Sequence, residues 1–194
     1  MKSIIQSLIY GMFCAIAALL LQFTLSIFLI DFTRPEDFLL IQNSALFIFA
    51  AVLSEEFSKF IFTYKVIKSF SISGSDLIAN SFIAGIGFSA IELTLFIYKY
   101  ETITQVDFSE IVKVTLLHIL TFGIIGYISS FPKKPLTIFT QAIIVTTGLH
   151  FAFNFSNIKE GILFEYTSVG IILLLILLNI YNLSTIKNRL ANSQ

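Results

Sequence analysis

Long apolar segments are the feature of this chain that most limits how it can fold. About six of them reach the ~20 residues that an α-helix needs to cross the hydrocarbon core of a bilayer. Turn-forming residues separate the segments. They lie at roughly 3–30, 38–66, 77–98, 108–130, 136–157 and 162–186. The sequence therefore predicts an all-α fold, a polytopic bundle of about six transmembrane helices.

Composition agrees with a membrane protein and argues against several other classes. Of the 194 residues, 56% are hydrophobic and 12% are charged, well beyond the usual soluble mixture. Six spans use most of the length, so we expect residues 1–194 to form a single integral-membrane domain. The first segment lacks the cleavage pattern of a signal peptide and is interpreted as a retained helix. A formal net charge of zero argues against a nucleic-acid partner. The expected partners are the lipid bilayer and other membrane proteins.

The distribution of charge predicts how the bundle is oriented. Positive residues near the ends of spans are retained on the cytoplasmic side. With the amino terminus inside, most lysines and arginines fall inside and most acidic residues outside. The inside set is Lys2, Lys65, Lys68, Lys133, Lys134, Lys187 and Arg189. We therefore expect both termini in the cytoplasm and the protein in the cell membrane.

Several polar side chains lie too far inside the spans to be assigned to loops. An ionisable group at mid-bilayer costs at least ~2.5–3.5 kcal/mol, so such groups usually face a protein interior and mark function. Counting ~1.5 Å per residue from the cytoplasmic ends places Glu55, Glu92, His118 and His150 about 15–23 Å deep, in one layer. The polar set is Glu55, Glu56, Lys59, Glu92, His118, His150 and Asn154.

Helical spacing indicates that these side chains share faces. Lys59 follows Glu55 by four residues and Glu56 by three, so one lysine can neutralise part of a carboxylate pair. Phe88 and Glu92 are four residues apart on the third span. Small residues precede Glu92 at the spacing that lets helix backbones approach closely, which predicts that Glu92 faces inward. They are Ser81, Gly85 and Ser89.

Four sequence elements, in order on successive spans, resemble a known family. SEEFSK at 54–59 fits an EExxK motif, and GIGFSAIE at 85–92 fits a GxGFxxxE motif. The lone His118 and the HxxxN pattern within GLHFAFN at 148–154 follow. The chain resembles PrsW-type intramembrane proteases, which are related to the group of CAAX-processing and bacteriocin-immunity membrane proteases. The resemblance covers roughly residues 50–155.

The resemblance implies an intramembrane peptidase that cleaves a membrane protein, for example a single-span anti-sigma factor. Glu55 or Glu56 would be the base that activates water. His118 would help bind the water or the attacked carbonyl, and His150 with Asn154 would supply oxyanion donors. Glu92 would position the water, with Lys59 and Phe88 in support.

Three alternatives follow from the same residues. Glu55, Glu56, Glu92, His118 and His150 have the chemistry of zinc ligands. We favour a metal-free mechanism, because Lys59 would compete with a cation and no HExxH spacing is present. A proton-coupled transporter would use the same residue types, but the chain has no internal repeat of the kind transporters often show. A non-catalytic membrane binding protein is the third.

Overall fold

The structure, a computed structural model, describes residues 2–29, 44–99, 107–132, 134–158 and 161–191. All regular secondary structure in those ranges is helical, so the all-α prediction is confirmed. Six long helices follow one another within these ranges. They are α1 (Lys2–Leu29), α2 (Ala45–Ile61), α3 (Gly74–Lys99), α4 (Phe108–Ser129), α5 (Pro135–Ile158) and α6 (Ile162–Ala191).

The second predicted span corresponds to α2 and the helical turns that follow it. Ser44 caps the helix, because its side-chain oxygen accepts the backbone N–H of Phe47 at 3.2 Å. After Ile61 the chain continues as a π-helical segment, Phe62–Ile67, and a final helical turn, Lys68–Phe70. Residues 38–43 of the predicted span lie outside the described residues. The described part of this span is one continuous helical element, and π-helical turns are frequent near functional sites.

Five helices in the described part of the chain are long and apolar enough to cross a membrane. These spans are Lys2–Phe28, Gly74–Tyr98, Phe108–Ser129, Pro135–Ile158 and Ile162–Ile186. The helix α2 is shorter, at 17 residues, and carries three charged side chains. Large apolar side chains face outward, with Phe28 80% and Leu177 64% exposed. Lipid is the environment that such surfaces require, so the chain has the character of an integral membrane protein.

Close contact between α3 and α4 depends on the small residues of α3. A Cβ atom added to Gly85 would lie 2.6 Å from the Cα atom of Ile119, so only glycine fits at this crossing. One turn later, the Ser89 hydroxyl lies 2.8 Å from the Gly85 carbonyl oxygen and 3.4 Å from that of Thr115 on α4. This crossing brings Glu92, on the next turn of α3, against α4.

Contacts between helix ends place five of the termini at one end of the bundle. Lys68, after α2, donates a hydrogen bond to the backbone carbonyl oxygen of Ser129 at the end of α4, at 2.7 Å. Arg189, near the end of α6, donates one to the hydroxyl of a tyrosine in the same part of α4. The ring of Tyr10 in α1 stacks on Phe70, with centroids 6.0 Å apart, and only residues 71–73 separate the end of the α2 element from the start of α3. We call this the basic end, after Lys68 and Arg189.

Candidate active site

Lys59 forms the centre of the polar cluster inside the bundle. Its side chain is fully buried, and its ammonium nitrogen Nζ contacts three polar atoms on two helices. These are Oε1 of Glu56 at 2.6 Å, Nδ1 of His118 at 2.8 Å and Oγ1 of Thr121 at 3.1 Å. A buried ammonium is tolerated only when it is paired and hydrogen-bonded in this way. The predicted pairing of Glu56 with Lys59 is thus present.

Phe88 of α3 packs against the cluster through its aromatic ring. The Nζ atom of Lys59 lies 4.9 Å from the centroid of its ring, a distance at which a cation is attracted to an aromatic face. The same ring lies 4.7 Å from the imidazole of His118, centroid to centroid. Phe88 therefore supports both the lysine and the histidine by packing.

His118 connects the lysine to Glu92. Its Nδ1 atom accepts from the Lys59 ammonium, because an ammonium group can only donate. The neutral imidazole then carries its proton on Nε2, which lies in close contact with Oε2 of Glu92 and points the N–H toward this carboxylate oxygen. His118 is buried, whereas the side chain of Glu92 is 36% exposed. The histidine thus links α3 to the lysine on α2.

His150 of α5 contacts both glutamates of α2. Its Nδ1 atom lies 2.7 Å from Oε1 of Glu56. Glu56 is held as a carboxylate by Lys59, so Nδ1 is the donor in this contact. The other ring nitrogen, Nε2, then presents a lone pair 3.7 Å from Oε2 of Glu55. Glu56 therefore fixes the tautomer and direction of the imidazole ring that faces Glu55.

Glu55 differs from Glu56 in bordering a cavity. The Oε2 atoms of both glutamates lack a hydrogen-bond partner among the described residues. Glu55, however, lines a cavity of about 40 Å³ between α1, α2 and α3, and roughly 10–15 Å³ is enough for one water molecule. The cavity lining is Ala15, Ala18, Leu19, Gln22, Glu55, Phe88, Ile91 and Glu92. The cavity therefore has room for water beside the Glu55 carboxyl group.

The structure brings together most of the residues predicted from the sequence. Five predicted catalytic residues and both supporting residues form one contact network. They are Glu55, Glu56, Glu92, His118 and His150, with Lys59 and Phe88. Asn154 is different: it is partly exposed and borders an open cleft between α2 and α5, together with Phe47, Ile48 and Ala51. Among the described residues, Asn154 has no hydrogen bond to the network.

Two polar residues of the network were not predicted. Gln22 of α1 donates a hydrogen bond from Nε2 to Oε1 of Glu55 at 2.7 Å. Thr121 lies one turn after His118 and contacts Lys59. A lone amide inside an apolar span is the same signal that singled out the other polar residues, so Gln22 could have been found by that rule. Thr121 carries no such signal, because threonine is common in membrane helices.

The free ligand atoms decide how well the cluster suits a zinc ion. Ligating atoms of Glu55, His118 and His150 lie within 4.8 Å of one another. Oε2 of Glu55 and Nε2 of His150 face each other, as a shared metal would require. Both nitrogens of His118, however, are engaged, one by the Lys59 ammonium and one by Glu92. As arranged, the three side chains do not offer three free ligand atoms for a tetrahedral zinc site.

Comparison with family models, with curated proteins and with solved structures gave no match to this chain.

Proposed function

We propose that the protein is an intramembrane peptidase in which a glutamate activates water to hydrolyse a peptide bond in or near a transmembrane segment. The observation that supports it most is the environment of Glu55. This buried carboxyl group borders a cavity large enough for water and turns an oxygen without a hydrogen-bond partner toward Nε2 of His150. Hydrolysis within a bilayer needs such a base next to a protected water.

In this proposal Glu55 is the base. A water molecule in the cavity beside Glu55 donates a hydrogen bond to the carboxylate, and its oxygen attacks the carbonyl carbon of the scissile peptide. Glu55 takes the proton that the water loses. When the C–N bond of the tetrahedral intermediate breaks, Glu55 returns this proton to the leaving amine. The products are a carboxylic acid and an amine, and the carboxylate of Glu55 is regenerated.

The other residues hold this arrangement in place. Glu56 orients the His150 ring through the 2.7 Å contact to Nδ1, in the way that a buried carboxylate orients histidine in hydrolytic triads. Lys59 compensates the charge of Glu56. Its further contact with His118 ties Glu92 to the same network. Asn154 remains our predicted oxyanion donor, for a substrate that lies in the cleft between α2 and α5.

The membrane arrangement is part of the proposal. We assign six spans, counting α2 in addition to the five long apolar helices. We place the protein in the cell membrane with both termini in the cytoplasm. The positive residues at the basic end support this orientation. A transmembrane segment entering laterally from lipid is the class of substrate that suits a site inside the bundle. The resemblance to PrsW-type proteases adds single-span anti-sigma factors as one substrate to test.

A proton-coupled transporter is the second candidate, because the network from Glu92 to Glu55 is a continuous chain of titratable groups. This chain of groups runs from α3 through α4, α2 and α5, and ends at Glu55 on α2. Residue counting predicts one layer of the membrane for four of its members, Glu55, Glu92, His118 and His150. A relay for transport has to lead from one membrane face to the other, so this geometry favours the peptidase.

Reconstitution tests the proposed function. The purified protein is placed in liposomes with single-span proteins from the same genome, and cleavage is measured with and without a strong chelator. Wild-type protein should cleave a substrate in both conditions. Glu55→Gln should lower the rate at least ~100-fold, because it removes the base. Glu56→Gln should lower it to a similar degree, because it releases the His150 ring.

Glu110→Gln is the matched control, since Glu110 pairs with Lys113 outside the cluster; it should cleave at the wild-type rate. Cleavage by Glu55→Gln at the wild-type rate would refute the proposed base. Loss of activity with chelator and recovery with zinc would establish the metal-dependent mechanism instead. Binding of a single-span protein without cleavage by any form would indicate the non-catalytic alternative.

A further inference from the structure

Gln22 gives α1 a polar contact with the cluster. Its Nε2 atom lies 2.7 Å from Oε1 of Glu55 and 3.4 Å from the carbonyl oxygen of Ala51. Gln22 also lies outside the part of the chain that carries the family resemblance, which begins near residue 50. The contact between Gln22 and Glu55 is therefore observed in the structure and does not follow from that resemblance.

The face of α1 that carries Gln22 packs toward the polar cluster and lines the cavity beside Glu55. Ala15, Ala18 and Gln22 are spaced by three and four residues, so they lie on one side of the helix. Both alanines are buried, at 2% and 1% exposure. Their small side chains leave the cavity open beside Glu55, while the longer glutamine spans it to the carboxyl group. This pattern combines room for water with one polar contact.

The amide fixes which oxygen of Glu55 is available for chemistry. Glu55 is the acceptor in this contact, so Nε2 of Gln22 must donate. The bond occupies Oε1 and turns Oε2 toward His150, 3.7 Å away. Without the donor, the glutamate side chain would be free to rotate into the cavity. A displacement of about 1 Å of a reacting group can cost ~100-fold in rate.

We propose that Gln22 is a positioning residue for Glu55, and that α1 is thereby part of the catalytic site. This inference rests on the proposed function, because positioning matters only if Glu55 is the base. Gln22 acts through Glu55 and has no direct part in the reaction.

Gln22→Met tests the inference, because methionine keeps the length of the side chain and loses the donor. With a single-span protein that the wild type cleaves, kcat should fall about 10- to 100-fold while KM stays within about twofold, since substrate contacts are unchanged. Gln22→Asn keeps an amide on a shorter side chain and should recover part of kcat. Gln6→Met is the control, the same change on α1 about 24 Å away along the helix, and should match the wild type.

Thermal unfolding of the same proteins gives a readout that is independent of cleavage. Gln22→Met and Glu55→Met should be non-additive in a double-mutant cycle, because each removes the same contact. Wild-type kcat in Gln22→Met, together with an inactive Glu55→Gln, overturns this inference and leaves the proposed function standing. Wild-type activity in Glu55→Gln overturns the proposed function. If no substrate is cleaved at all, additive effects in the thermal cycle still overturn the contact, and non-additive effects support it.

Discussion

A single lysine organises the polar interior at the level of residues. Lys59 contacts Glu56, His118 and Thr121 while its side chain is fully buried. A buried charge without a partner is strongly destabilising, whereas a well-paired charge is tolerated. The three contacts and the ring of Phe88 together provide that pairing. Lys59 is therefore as important for stability as for the chemistry we propose.

Replacing Lys59 with methionine should destabilise the protein by about 3–5 kcal/mol, because Glu56 would be left as an unpaired buried charge. Unfolding in mixed detergent micelles measures this difference. The combined variant Glu56→Gln, Lys59→Met should recover most of the loss, since it removes both charges. Lys113→Met is the control: its partner Glu110 is partly exposed, and the expected change is below ~1 kcal/mol. Equal effects of Lys59→Met and Lys113→Met would contradict this account.

The crossing of α3 and α4 sets the geometry at the level of elements, and one glycine tests it. A Cβ atom at Gly85 would lie 2.6 Å from the Cα atom of Ile119, so Gly85→Ala should push the helices apart and cost about 1–3 kcal/mol. Gly170→Ala on α6 is the matched control, since nothing lies within 4 Å of that position. It should be neutral or stabilise by about 0.5–1 kcal/mol, because alanine favours a helix. Unfolding of both variants is compared, and a stabilising Gly85→Ala would rule out the close crossing.

Interactions within one helix were predictable from the sequence, and interactions between helices were less so. The spacing of three residues between Glu56 and Lys59 was enough to predict their contact. The same reasoning left Glu55 as an equal partner of Lys59, yet Glu55 bonds to Gln22, 33 residues earlier. That choice depends on how α1 packs against α2, which residue spacing does not encode. Asn154 is a second residue whose position was not predictable from spacing. It follows His150 by one helical turn, but it borders an open cleft instead of the polar cluster.

The arrangement of helix ends is the property of the whole molecule that links structure to membrane. Contacts of Lys68 and Arg189 join the ends of the α2 element, α4 and α6 at the basic end. The stacking of Tyr10 on Phe70 and the short connection into α3 bring the starts of α1 and α3 to the same end. Positive residues at one end of a bundle favour its retention in the cytoplasm. The Glu110–Lys113 pair near the start of α4, and Glu165 near the start of α6, lie around one pocket away from that end. This difference in charge between the two ends is the basis of the orientation that we propose.

Cysteine labelling of intact cells tests this direction. In a Cys14→Ala background, a cysteine at Ile72, which is 97% exposed in the turn before α3, should react with an impermeant reagent only after permeabilisation. A cysteine at Thr104, in the predicted connection between the third and fourth spans and outside the described residues, should react without permeabilisation. Fusion tags at Lys2 and Gln194 should both be cytoplasmic, because α1 begins and α6 ends at the basic end. Labelling of Ile72→Cys in intact cells, with Thr104→Cys protected, would invert the orientation. The site would then still lie inside the bundle, but the end that carries Glu110 and Glu165 would face the cytoplasm.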